Sequence, residues 1–123
     1  MASKKPTVLF VDDEPIILRM FEIAFRGDFE VLTAHNGEKA LEIINTNRSI
    51  GILLSDFRMP GMNGAQLITK ANELIPQAKF FILTGFDFNA QINQIIEDKI
   101  VTEVFKKPAD LNVIRMKFSN ALM

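Results

Sequence analysis

Along the chain, short unbroken apolar runs alternate with longer stretches in which apolar residues recur every three or four positions. Five runs, rich in β-branched residues and phenylalanine, read as strands: Thr7 to Val11, Phe29 to Ala34, Gly51 to Ser55, Lys79 to Thr84 and Val101 to Lys106. Between and after them, helical spacing is carried by Ile17, Met20, Phe21 and Ala24, by Ala40, Ile43 and Ile44, and by Leu67, Ile68, Ala71 and Ile75. A weaker fourth helix is marked by Ile92, Ile95 and Ile96, and a fifth by Leu111, Ile114, Phe118 and Leu122. Asn36-Gly37, Asn63-Gly64 and Asp110 suit turns or N-caps, and Pro15 suits a first helical turn. Strand and helix in strict alternation predict an α/β fold: a (βα)₅ chain with a five-stranded parallel sheet, doubly wound, with helices on both faces.

The 123 residues suffice for one domain, 1–123, with a single sheet and its cover. Apolar residues make up 48% and charged ones 24%, an ordinary globular balance. With 14 basic against 15 acidic side chains, no broad field attracts nucleic acid or an anionic membrane, so neither is expected as a direct partner. The absence of cysteine excludes disulfides, thiol catalysis and cysteine-bound metal, and a cytoplasmic location is the default expectation. Apolar runs fall short of the roughly 20 residues of a membrane span.

A doubly wound sheet holds its ligand outside the carboxyl ends of its strands, so chemistry is expected where the strands stop. The first ends in Asp12-Asp13-Glu14, the third in Asp56, the fourth in Thr84-Gly85 and the fifth in Lys106-Lys107-Pro108. Three carboxylates in one crevice repel each other unless a cation neutralises them, and an oxygen-only donor set suits Mg²⁺, with Mn²⁺ as a close substitute. A carboxylate, a hydroxyl beside a glycine and a lysine are also the groups that move a phosphoryl group onto an oxygen nucleophile. Asp56 is then the nucleophile, Lys107 or Lys106 offsets phosphoryl charge, Thr84 donates a hydrogen bond and Gly85 leaves room.

The segments Val8-Leu9-Phe10-Val11-Asp12-Asp13-Glu14, Leu54-Ser55-Asp56-Phe57-Arg58-Met59-Pro60-Gly61-Met62-Asn63-Gly64, Ile82-Leu83-Thr84-Gly85 and Lys106-Lys107-Pro108 resemble the receiver domains of two-component response regulators, including the chemotaxis-regulator type. The resemblance runs from about Thr7 into the last helix and implies the flavodoxin-like strand order 2-1-3-4-5. It implies Mg²⁺ held by Asp12, Asp13, Asp56 and the backbone carbonyl of Arg58, with Asp56 as phosphoacceptor. Thr84 and Lys107, rather than Lys106, would then contact the phosphate, and Pro108 would follow a cis peptide bond. The Met59 to Gly64 loop is read as scaffold. The phosphoryl donor implied is a sensor histidine kinase or phosphotransfer protein, and the output an effector domain or protein, with phosphorylation-dependent homodimerisation a further option. Such a domain is a switch rather than an enzyme, catalysing only its own phosphorylation and dephosphorylation.

The chain departs from that pattern where receivers carry an aromatic residue three positions before the lysine. Here that position is Val104, and Phe105 beside it should face the other side of the sheet. The expectation is a switch carried mainly by Thr84 and the loop after it. Arg58 is either a solvated cation or a group leaning over the site, and Phe86 and Phe88 are either core or an exposed interface. His35 is expected to be exposed. Among other functions, an aspartate-nucleophile phosphatase would need a general acid near Asp56 and a substrate cap, whereas here Arg58 stands two positions on and no insertion is long enough for a cap. A nucleotide-binding flavodoxin-like protein would not carry Asp-Asp-Glu-Pro as its phosphate loop. A receiver that only binds, without phosphorylation, is favoured by Val104 alone.

Overall fold

The computed structural model describes residues 5–85 and 89–123. Among them five strands alternate with five helices: β1 (Thr7–Val11), α1 (Pro15–Phe25), β2 (Glu30–Ala34), α2 (Gly37–Thr46), β3 (Ile52–Asp56), α3 (Gly64–Leu74), β4 (Lys79–Thr84), α4 (Ala90–Glu97), β5 (Val101–Lys106) and α5 (Leu111–Ala121). All strand pairs are parallel and the order is β2-β1-β3-β4-β5, the doubly wound flavodoxin-like arrangement. β3 begins and ends one residue later than its apolar run, because Asp56 still pairs with Leu83 of β4. Phe29, expected in β2, is buried just before that strand begins.

Strand alternation divides the interior in two. Leu9, Val11, Leu53, Phe80 and Ile82 face one layer with Ala40, Ile44, Leu67, Ile68, Ala71, Ile92 and Ile95 of α2, α3 and α4. Val8, Phe10, Ile52, Leu54, Phe81, Leu83 and Phe105 face the other with Phe21, Phe25, Ile114 and Phe118 of α1 and α5. The second layer is built on rings: Phe10 stacks on Phe21 at 4.5 Å, and Phe118 lies 5.0 Å from Phe81. The central strands, covered on both faces, are apolar over residues 8–11, 52–54 and 80–83, whereas the edge strands β2 and β5 carry Glu30, Thr33, Thr102 and Glu103.

The predicted caps form. Asn36 accepts from Lys39 N, Asp110 from Asn112 N and Val113 N, and Asn63 closes a capping box with Gln66, both bonds at 2.9 Å. Three positions expected on the apolar stripes are exposed instead, Met20, Ile96 and Leu122. The buried side of α1 centres on Leu18, Phe21 and Phe25, which turns Ile16, Met20 and Ile23 outward; Leu122 is the C-cap of α5, past its packed turns.

Candidate functional site

The same alternation that builds the phenylalanine layer aims the chemistry. Asp12 continues the face of Phe10, Asp56 that of Leu54 and Lys107 that of Phe105, so an acid pair and an ammonium group leave three strands on one side of the sheet. Lys106, one residue earlier, has the opposite parity and is exposed, the solvent-facing placement expected of it. The outcome is a cleft of about 250 Å³ lined by Asp13, Glu14, Asp56, Arg58, Thr84, Gly85 and Lys107. Lys107 Nζ lies 3.1 Å from Asp56 Oδ1, and the Lys107 backbone N–H donates to Thr84 O at 2.8 Å, which ties the lysine to the strand that carries the threonine. The Lys107–Pro108 peptide bond is cis.

Each acid brings a carboxylate oxygen within 4.8 Å of the others' at Asp12, Asp13 and Asp56. Asp12 is 2% exposed; its Oδ1 accepts from Glu14 N at 2.9 Å, while its Oδ2 is buried with no hydrogen-bond partner among the described residues. Burial pushes the Asp12 carboxyl up to about 6, with the neighbouring Asp56 and Asp13 charges adding to it against the Glu14 amide and Lys107. Asp56 is also raised, by burial first, against its hydrogen bond to Lys107. At Lys107, burial lowers the ammonium, but the Asp56 hydrogen bond and charge, with Asp12 and Glu14 behind, hold it above its ordinary value. The pair thus splits by environment: Asp56 is nearly covered, whereas Lys107 keeps a wet flank. An orphaned buried oxygen in a crowd of like charges is a donor set that fits a hard divalent cation.

The loop after Asp56 is shaped as the scaffold reading expects. Met59 is buried, Gly61 has φ +78, a conformation that favours glycine, and Met62 packs where a Cβ on Gly37 would meet its Sδ at 2.8 Å. Arg58 is exposed and lines the cleft, and Thr84 is 1% exposed. At Gly85 the nearest atoms to an added Cβ are Lys107 Cδ and Cβ, at 3.8 and 4.0 Å, so protein packing does not demand the glycine. His35 is exposed at the end of β2. Phe86 and Phe88 lie outside the described residues. Glu14, expected at this edge with Asp12 and Asp13, forms a wall of the cleft; sequence reading missed the contact behind Asp56, where the buried Ser55 hydroxyl donates to Asp56 O at 2.9 Å. Its signal was a lone hydroxyl in an otherwise aliphatic Ile-Leu-Leu-Ser run.

A five-stranded doubly wound sheet with acids and a lysine at its carboxyl edge defines a class of phosphoryl-accepting α/β domains. Comparison names the family: the model of the response regulator receiver domain matches residues 8–118, and the chain belongs to that family. A cyclic di-GMP phosphodiesterase of Thermotoga maritima is 31% identical over 94% of this chain and 31% of its own length. The autoinducer 1 sensor kinase/phosphatase LuxN of Vibrio campbellii is 31% identical over 98% of this chain and 14% of its own. The chain therefore spans about a third or less of these curated relatives. Among solved structures, the response regulator TrrA of Thermotoga maritima, in complex with Mg²⁺ and BeF, superposes with a TM-score of 0.80 at 23% identity, covering 94% of this chain and 98% of that one. This protein is thus a receiver domain of two-component signalling, a phosphoacceptor switch. No helix among the described residues is long and apolar enough to cross a membrane.

Proposed function

We propose that Asp56 is the phosphoacceptor of this receiver, that Asp12, Asp13, Asp56 and the Arg58 carbonyl hold Mg²⁺, or Mn²⁺ in its place, and that Lys107 and Thr84 bind the transferred group. The observation that carries this reading is the 3.1 Å contact of Lys107 Nζ with Asp56 Oδ1 beside Asp12 Oδ2, which has no hydrogen-bond partner among the described residues. TrrA, described in complex with Mg²⁺ and BeF, supports a Mg²⁺ site in a fold of this kind. A bound divalent ion would supply charge neutralisation for the phosphoryl oxygens and for the carboxylates around them.

This chain's own groups do the rest. An Asp56 carboxylate oxygen attacks phosphorus of a phosphohistidine or a small acyl phosphate; the O–P bond forms as the donor's bond to phosphorus breaks, and the electron pair leaves with the donor. Lys107 then keeps one ammonium for a group that gains negative charge. The Thr84 hydroxyl, buried at the strand end, donates to a phosphoryl oxygen and leaves its resting environment to do so. The reactions assigned to the domain are its own phosphorylation and the hydrolysis of the resulting acyl phosphate, which returns the Asp56 carboxylate and releases inorganic phosphate. Incubation with Mg²⁺ and acetyl phosphate is expected to add one phosphoryl mass, lost in Asp56→Ala; uptake that persists in the variant overturns the reading.

A donor has to bring its phosphohistidine to this lip of the sheet. α1 starts at Pro15, directly after Glu14 in the cleft wall, and presents Ile16, Met20 and Ile23 at i, i+4 and i+7, Ile16 being 81% exposed. An apolar stripe of this kind beside the cleft fits a helical face of the kinase or phosphotransfer protein that supplies the phosphoryl group.

A further inference from the structure

β3 reads Ile-Leu-Leu-Ser-Asp, and Ser55 is 0% exposed. Strand alternation places it on the α2–α3 side, in line with Leu53 and Phe57, away from the carboxylate of Asp56. A hydroxyl in an aliphatic layer is costly unless bonded, and alanine would fill the place without that cost. The Ser55 hydroxyl donates to the carbonyl of the next residue, Asp56 O, at 2.9 Å.

That carbonyl belongs to the peptide on which the site turns. The other end of the same peptide, Phe57 N–H, donates to Leu83 O at 2.9 Å and also favours the ionised Asp56 carboxylate. Phe57 O in turn accepts from Gly64 N at 2.8 Å. A Cβ on Gly64 would fall 2.6 Å from Asp56 O, so the start of α3 is pressed against this oxygen with no side chain between. The peptide after Asp56 is therefore gripped by Ser55, by β4 and by α3. Its plane sets the exit of the chain toward Arg58 and the aim of the Asp56 carboxylate.

We propose that Ser55 is a positioning residue for phosphoryl transfer, acting from behind the sheet through the Asp56 carbonyl and touching neither phosphate nor metal. The proposal rests on Asp56 being the phosphoacceptor. In-line attack tolerates little misalignment, so loosening this peptide slows the bound reaction more than it weakens binding.

The test compares Ser55→Ala, Ser55→Thr and Ser55→Cys with the wild-type chain, using acetyl phosphate as donor well below every melting temperature. The first-order rate constant at saturating Mg²⁺ and acetyl phosphate is expected to fall about three- to tenfold in Ser55→Ala. The half-saturating concentrations of both should stay within about twofold. Ser55→Thr, which keeps the hydroxyl, restores the rate, and Ser55→Cys, a weaker donor of similar shape, lies between. An unchanged saturating rate in Ser55→Ala overturns the proposal. So does a Ser55→Cys variant as fast as wild type, because packing alone would then explain the loss in alanine, or a folded Ser55→Thr variant as slow as alanine, because the hydroxyl would then not be what the rate depends on. A wild-type chain that takes up no phosphoryl group, or an Asp56→Ala chain that still does, removes the phosphoacceptor reading instead.

Discussion

Phe105 stacks on Phe81 with ring centroids 5.7 Å apart and planes within 11°, in the layer under α1 and α5, while its neighbour Val104 packs on the opposite layer. β5 does carry a register shift, but it falls between Phe80 and Phe81 of its partner, ahead of both residues, and leaves them on opposite faces. The aromatic place three positions before Lys107 is thus held by valine, and Phe105 is core. In a complex with a phosphoryl mimic, Phe105 should stay stacked on Phe81; a ring turned toward Thr84 would contradict this. Phe105→Ala should cost about 3 kcal/mol of stability, read by urea denaturation, and leave labelling by acetyl phosphate intact in the folded fraction.

Ile16→Asp should separate docking from chemistry. Phosphotransfer from a protein donor should fall at least about tenfold, a loss of about 1.4 kcal/mol in recognition, while the rate with acetyl phosphate stays unchanged. Equal losses with both donors would remove α1 as the donor's resting place.

Gly64→Ala should be destabilising even though alanine is the better helix former. A methyl group there meets Asp56 O at 2.6 Å and Phe57 Cα at 3.0 Å, both backbone atoms, so α3 must shift away from β3. A loss of about 1–3 kcal/mol in denaturant unfolding is expected, together with slower phosphorylation. Full stability would show that the start of α3 yields without consequence.

The pH dependence follows from Asp12. In the unfolded chain its carboxyl ionises near 3.8, and in the fold burial moves this to about 6. The metal-free fold therefore holds more protons between those values, and this contribution to stability is present below the lower one and lost as pH rises through the upper. Asp56 shifts the same way. A divalent ion needs both groups ionised, so the rise in melting temperature produced by Mg²⁺ should shrink as pH is lowered from about 7 to about 5. In metal-free melts the wild type should lose stability relative to Asp12→Asn as pH rises over the same interval. A Mg²⁺ increment that does not change with pH would contradict the burial of Asp12.

Most of the fold was legible because each central strand is apolar on both faces and each break carries a capping or turn residue, as at Asn36, Asn63 and Asp110. The strand ends told where chemistry would gather, since topology alone brings Asp12, Asp56 and Lys107 to one edge. Less legible was anything that depends on rotation about a helix axis or on contacts behind the site. Met20 fits an apolar period yet faces solvent, because a stripe of 3.6-residue period on α1 continues around both sides of the buried line through Leu18, Phe21 and Phe25. The grip of Ser55 and Gly64 on one carbonyl has no periodic signal, since it arises only when α3 folds back on β3.

Asp56 as the residue that takes the phosphoryl group is tested most directly by trapping the adduct. Borohydride reduction of the chain after Mg²⁺ and acetyl phosphate, followed by peptide mass spectrometry, should find homoserine at position 56 and none when Mg²⁺ is chelated. Reduction at another carboxylate, or at position 56 without the divalent ion, would contradict the account.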